Sequence, residues 1–348
     1  MRVAITVDPN IPVPPVFYGG IERIVDVLVR GLHKRGHEVT LFAHPASRTA
    51  GRLRPYGVPP HVGWRARAIE LAQVGSGLWS GRAEIDLVHS FGRLRALVPV
   101  LPLRGLPKIQ SYQRAEVPWS GVKLAVRLAG PSICFTACSR SVCAPGERHG
   151  PAAGRWEVIA NGVEMASYDF APRVAADAPL VFLGRIEPLK GAHLAVAIAA
   201  RAGRRLVIAG NRTSAGAEYF GREIAPHLCG GRVSYVGEVD DAQKNALLGA
   251  AAALLMPVSW EEPFGIVMAE ALACGTPVIG FPRGAVPEIV RDGVNGYLCA
   301  SVEAAAAAVG RLDRIDRASV RADCEARFGD GVVVEAYERL YREMMGDG

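Results

Sequence analysis

Long apolar runs are missing from this sequence. No stretch of eighteen or more apolar residues occurs, so no membrane-spanning helix is expected. The opening MRVAITVDPN reaches Asp8 too soon for the apolar core of a secretory signal, and it reads instead as a first buried strand. Metal-type cysteine spacing is missing as well. The thiols at 134, 138, 143, 229, 274, 299 and 324 are odd in number and dispersed, and Cys134, Cys138 and Cys143 lack the C-x2-C pairing of a zinc site. They read as buried, reduced thiols in a cytoplasmic protein. There is no run of basic residues and no recognisable nucleic-acid motif, which argues against a nucleic-acid partner. The first half has no G-x-G-x-x-G, so a nicotinamide-binding reading has little support. No repeat of solenoid period is evident.

What is present points to two domains. The chain has 348 residues, half of them hydrophobic, enough for two sizeable cores. Charge is uneven: residues 1–170 hold 21 Lys or Arg against 12 Asp or Glu, whereas the remainder is slightly acidic. A basic half suits an anionic partner or a membrane surface. Apolar runs alternate with helix-period patterns almost throughout, the mark of α/β architecture with parallel sheets. Strands are expected at RVAITV, EVTLFA, IDLVHSF, PKIQSY, SICFTA and WEVIA, then at LVFLG, RLVIAG, RVSYVG, ALLMP, TPVIGF and GYL. Between the first two, Ile21, Ile24, Val25, Leu28 and Leu32 form one helical stripe. Residues 45–82, rich in Gly, Pro and Arg, are expected to hold one helix and a loop. The final helical segment VVVEAYERLYREMM has no strand after it and is free to return to the first domain. The domains are therefore drawn as 1–165 with about 332–348, and 172–330.

The chemistry concentrates in SWEEPFGIVMAEALACGTPVIG (259–280), which reads as loop, helix, strand. Pro263 and Gly265 suit the opening of a helix. Glu262 then stands at the helix mouth and Glu270 inside it, roughly 12 Å apart at about 1.5 Å per residue. That is wider than the acid/base pair of a glycoside hydrolase, about 5 to 9.5 Å. It suits two acids gripping different parts of one elongated ligand; two solvated glutamates are the plain alternative. Amides of Phe264, Gly265, Ile266 and Val267 at this helix mouth can meet an anion. Glu270 can accept the hydroxyls of a ribose. Arg185 and Lys190 follow strand LVFLG, where α/β proteins bind ligands, and can neutralise a diphosphate. Gly19-Gly20, after Tyr18 and before a helix, can bring backbone close to a phosphate or sugar, or form a plain tight turn.

These segments together resemble a family-4-type retaining glycosyltransferase with GT-B architecture, two Rossmann-like domains facing across a cleft. The matching stretches run in the family's order: YGGIERIV (18–25), NGV (161–163), FLGRIEPLKG (182–191), IAG (208–210), YVGEV (235–239), EEPFGIVMAEALACGTPVIG (261–280), GAVPEIV (284–290) and DGVNGYL (292–298). The resemblance implies that Arg185 and Lys190 hold the donor diphosphate, Glu270 the ribose and Glu262 the donor sugar. It adds Gly210 and Val239 to the donor site, with YVGEV beside a base expected to be uracil. It implies a nucleotide-sugar co-substrate, no resident cofactor and, with no D-x-D motif, no metal. Relatives place a histidine after the strand matching PKIQSYQ; here that position falls at Gln113, or at Tyr112 one residue earlier. His89, after IDLV, is the nearest histidine that could contact sugar or acceptor, with a capped loop histidine as the alternative. The sequence leaves the acceptor open, with a natural product, a glycan and a lipid as the candidates. Lys123 and Arg127 on the mostly apolar SGVKLAVRLAG (120–130) suit peripheral contact with the inner membrane face, or a buried amphipathic helix. A catalytically silent nucleotide-sugar binder and a same-fold epimerase or phosphorylase are the rival readings.

Overall fold

Short runs rich in Val, Ile, Leu and Phe build most of the strands, and because those runs are buried on both faces they lie in parallel sheets rather than at a surface. A computed structural model describes residues 1–16, 19–57, 63–213 and 216–346. Two units result: Met1–Gly162 with Asp330–Gly348, and Val163–Gly329.

The first unit holds seven strands: β1 (Arg2–Thr6), β2 (Glu38–Ala43), β3 (Arg52–Pro55), β4 (Leu87–Ser90), β5 (Lys108–Tyr112), β6 (Ile133–Ala137) and β7 (Arg155–Val158). They are parallel, in the order β3-β2-β1-β4-β5-β6-β7, with Val3 opposite Val39 on one side and Leu87 on the other. Helices α1 (Gly20–Lys34), α2 (Trp64–Ser80), α3 (Trp119–Ala129) and α4 (Arg140–Cys143) connect them. α1 buries Ile24, Val25, Leu28 and Leu32 of the stripe expected from its sequence and leaves Ile21 half-buried. α3 buries Val122, Ala125 and Ala129 and exposes Leu124 and Leu128 beside Lys123 and Arg127.

The second unit holds β8 (Leu180–Leu183), β9 (Leu206–Ala209), β10 (Val233–Tyr235), β11 (Ala253–Met256), β12 (Val278–Gly280) and β13 (Gly296–Leu298), parallel in the order β10-β9-β8-β11-β12-β13. Its helices are α5 (Ala192–Arg201), α6 (Ala217–Glu223), α7 (Asp241–Ala250), α8 (Ile266–Ala273), α9 (Val286–Ile289), α10 (Val302–Val309) and α11 (Arg317–Phe328). In both units the order reverses between the first and fourth strands, the doubly wound Rossmann arrangement.

The last helix, α12 (Asp330–Met345), belongs to the first unit. It lies against α1, where a β-carbon on Gly31 would come within 2.4 Å of a Val334 methyl, so only glycine admits the contact. Glu338 then takes Arg35 at 2.8 Å and His37 at 2.9 Å. Between residues 45 and 82 the chain forms α2, as expected, and also the unforeseen edge strand β3; residues 58–62 lie outside the described part, as does Tyr18. Among the described residues no helix is long and apolar enough to cross a membrane.

Candidate active site

In the second unit the connections leaving β8 and β11 flank the point where strand order reverses, and that is where this architecture binds ligands, outside the carboxyl ends of the strands. Arg185 and Lys190 stand on the β8–α5 connection, Glu262 on the β11–α8 connection. Backbone bonds join the two: the Ser259 amide donates to Leu189 O at 3.0 Å. The Glu262 carbonyl accepts from the Ala285 amide at 2.8 Å, which fixes the acidic loop from the β12 side as well.

Lys190 and Glu262 meet directly. Nζ lies 2.6 Å from Oε2, with the two side chains 17% and 6% exposed, so little solvent intervenes. Trp260 completes the group. Its indole N–H donates to the same Oε2 at 3.0 Å, and its ring centre is 4.8 Å from the Lys190 ammonium. Arg185 is about one-third exposed, and its guanidinium donates to the Glu187 carboxylate at 2.7 Å.

Glu270 lies within α8, buried, and its Oε1 takes two donors: the Lys244 ammonium at 2.5 Å and the Tyr168 hydroxyl at 2.8 Å. Gly265 precedes α8 with φ 71°, and Ile266 and Val267 form the first turn, half-buried. The Phe264 ring turns inward instead, edge-on to Phe328 at 5.8 Å, so only its backbone remains for a ligand. Gly210 directly follows β9, and a β-carbon there would fall 1.8 Å from Gly184 O; that close backbone approach accounts for the glycine. Val239 is half-buried just before the Asp240 cap of α7. Among the described residues no three His, Cys, Asp or Glu side chains gather as metal ligands.

In the first unit Gly19 caps α1, and a β-carbon there would strike the Pro15 ring at 2.6 Å, whereas one on Gly20 would meet nothing. Glu22, in the first turn of α1, is buried, and burial pushes its carboxyl up. Gln113 follows β5 half-buried, and neither atom of its amide has a partner among the described residues. Tyr112 stacks on Trp156 at 5.5 Å and on Phe135 at 6.3 Å, so it belongs to the core.

His89 requires a correction. It sits inside β4, within the strand expected over IDLVHSF, and is wholly buried. Nδ1 meets the Tyr341 hydroxyl at 2.6 Å and Nε2 the Ser111 hydroxyl at 2.7 Å, while burial lowers its pKa to about 3. A neutral imidazole enclosed in this way ties α12 to the sheet and offers nothing to a sugar or acceptor.

Four side chains at the second-unit site escaped the sequence reading: Trp260, Lys244, Tyr168 and Glu187. Trp260 stands two positions before Glu262 in the same motif. Lys244 follows a capping box, Asp240 with Gln243, that fixes the start of α7. Tyr168 lies in a stretch with no readable pattern.

Family models match both halves of the chain: "Glycosyl transferases group 1" over residues 172–324 and "Glycosyltransferase Family 4" over residues 18–167. The chain belongs to the GT-B glycosyltransferases. It is an enzyme of the hexosyltransferase type. The glycogen synthase of Mycobacterium tuberculosis is 28% identical over 351 residues, covering 87% of this chain and 84% of its own. AviGT4, a glycosyltransferase involved in avilamycin A biosynthesis, is 28% identical, with a TM-score of 0.76 over 100% of this chain and 99% of its own. HepE of Anabaena, solved in complex with UDP and glucose, is 20% identical with a TM-score of 0.76 over 99% of this chain and 100% of its own, a likeness of fold.

Proposed function

We propose that this glycosyltransferase moves a hexose from a uridine diphosphate sugar to an acceptor hydroxyl, with retention at the anomeric carbon and without a metal ion. The observation that carries the reading is the meeting of Lys190, Trp260 and Glu262 at the strand-order reversal of the second unit. A departing diphosphate develops negative charge, and fixed cations placed in advance stabilise it without reorganisation. Lys190 and Arg185 supply that charge. Glu262 is an acceptor for hydroxyls of the donor sugar, and Glu270 for those of the ribose. The acceptor's proton passes to the leaving phosphate oxygen, and the new bond forms on the face the diphosphate leaves. The UDP complex of the structurally similar HepE supports uridine as the base.

A thermal-shift screen of nucleotide sugars identifies the donor, because a ligand that binds the folded state raises the melting point by mass action. With that donor and an acceptor found by product analysis, Lys190→Ala and Glu262→Ala are expected to lower turnover by about two to four orders of magnitude with the fold intact. Near-normal turnover in both sinks the assignment. Donor binding with no transfer or hydrolysis indicates a silent binder, and release of an isomerised or phosphorylated sugar indicates an epimerase or phosphorylase.

Peripheral membrane contact forms part of the same proposal, supported by Leu124 and Leu128 exposed beside Lys123 and Arg127 on α3. Co-sedimentation with anionic vesicles is expected for the wild type and lost in Leu124→Glu/Leu128→Glu. No sedimentation of the wild type disposes of it.

A further inference from the structure

Glu270 is held on one side only. The Lys244 ammonium and the Tyr168 hydroxyl both reach Oε1, and among the described residues no group meets Oε2. Glu270 and Lys244 are 4% and 9% exposed, so this is an ion pair within the protein. Lys244 has a second anionic contact, Asp241 Oδ1 at 3.1 Å, and its ammonium lies 5.7 Å from the Tyr168 ring centre. Its place on α7 is set locally: the Asp240 carboxylate accepts from the Gln243 amide at 2.8 Å, and the Gln243 side chain accepts from the Asp240 amide at 3.0 Å. A carboxylate has about four lone-pair sites. With Oε1 occupied by two donors, the sites on Oε2 remain, enough for both hydroxyls of a vicinal diol.

We propose that Lys244, assisted by Tyr168, is a positioning residue that makes the enzyme select ribose over 2′-deoxyribose in its nucleotide, by holding Glu270 with Oε2 directed to the sugar hydroxyls. The inference rests on the assignment of Glu270 to the ribose. Two features support it. A buried carboxylate without a countercharge is costly, and a rotamer that escapes to solvent relieves the cost, so the ammonium is what keeps Glu270 in place. Both donors also bind the same oxygen, which sets the rotation of the carboxylate as well as its position.

The test measures dissociation constants for UDP, GDP and ADP and for their 2′-deoxy counterparts by calorimetry. The wild type is expected to bind the preferred ribonucleotide about ten- to a hundredfold more tightly than its deoxy form, the range of a charge-assisted hydrogen bond. Glu270→Gln removes most of that ratio. Lys244→Met is expected to remove it to within about threefold, Lys244→Arg to restore most of it, and Tyr168→Phe to lose part of it. In turnover assays Lys244→Met raises KM for the donor and leaves kcat nearly unchanged, because the ribose contact is equal in ground and transition states. A wild type that does not discriminate overturns the ribose assignment of Glu270. A wild type that discriminates, with the ratio lost in Glu270→Gln but intact in Lys244→Met, overturns the role of Lys244 and leaves that assignment standing. If Lys244→Met does not fold, Tyr168→Phe decides, since it removes a donor to the same oxygen and no charge; an unchanged ratio there overturns the proposal.

Discussion

Lys190 and Glu262 are both assigned to the donor, yet they are bonded to each other at 2.6 Å. An ammonium held this closely serves a phosphate only by sharing or leaving its carboxylate. Glu262 therefore competes with the diphosphate for Lys190 while it offers acceptors to the sugar. After transfer the product carries no sugar, and only the competition remains, which favours release. Glu262→Gln keeps the shape and removes the competing charge. It is expected to bind UDP about three- to tenfold more tightly than the wild type while turnover falls, as measured by calorimetry and initial rates. Weaker UDP binding in Glu262→Gln shows instead that the carboxylate holds Lys190 ready for the phosphate. Trp260 links both groups, and its N–H and ring explain why the pair is fixed in place.

At the scale of elements, most strands legible in the sequence are buried on both faces, where continuous apolar runs between glycines and prolines leave one reading, and β7 and β10 were legible from short apolar runs although they are only partly buried. β3 is the strand that the sequence did not mark. Its sequence RLRP is mostly exposed at the sheet edge, so no apolar pattern marks it, and only pairing with β2 makes it a strand. The site divides in the same way. Arg185, Lys190, Glu262 and Glu270 were legible because they sit at loop and helix positions with chemistry of their own. Lys244 and Tyr168 act through Glu270, across separations of 26 and 102 positions that no local pattern encodes. His89 was offered to a ligand because a histidine after the apolar run IDLV carries chemistry of its own, but the strand expected over IDLVHSF takes it into the core.

For the molecule as a whole, the buried His89 couples stability to pH. Its pKa is about 3 in the fold against an ordinary 6.5. Between those values the unfolded chain binds a proton that the folded chain does not, so stability falls as pH drops from 6.5 towards 3. The slope from this one group is about 1.4 kcal/mol per pH unit. His89→Gln, which can still bond Tyr341 and Ser111, is expected to be less stable than the wild type at pH 7.5, with the gap narrowing by that amount per unit between pH 6 and pH 5. Urea unfolding at the three values measures it, and a constant gap rules out the coupling.

The return of α12 to the first unit gives the chain an order of completion. The stretch 163–329 is contiguous, whereas the first unit needs the segment from Asp330 onward. Tyr341, which closes on His89, is synthesised only after the whole of the second unit. The half whose strands are made first is therefore the half that finishes folding last, and its central strands wait on the ribosome for a partner that has yet to be made.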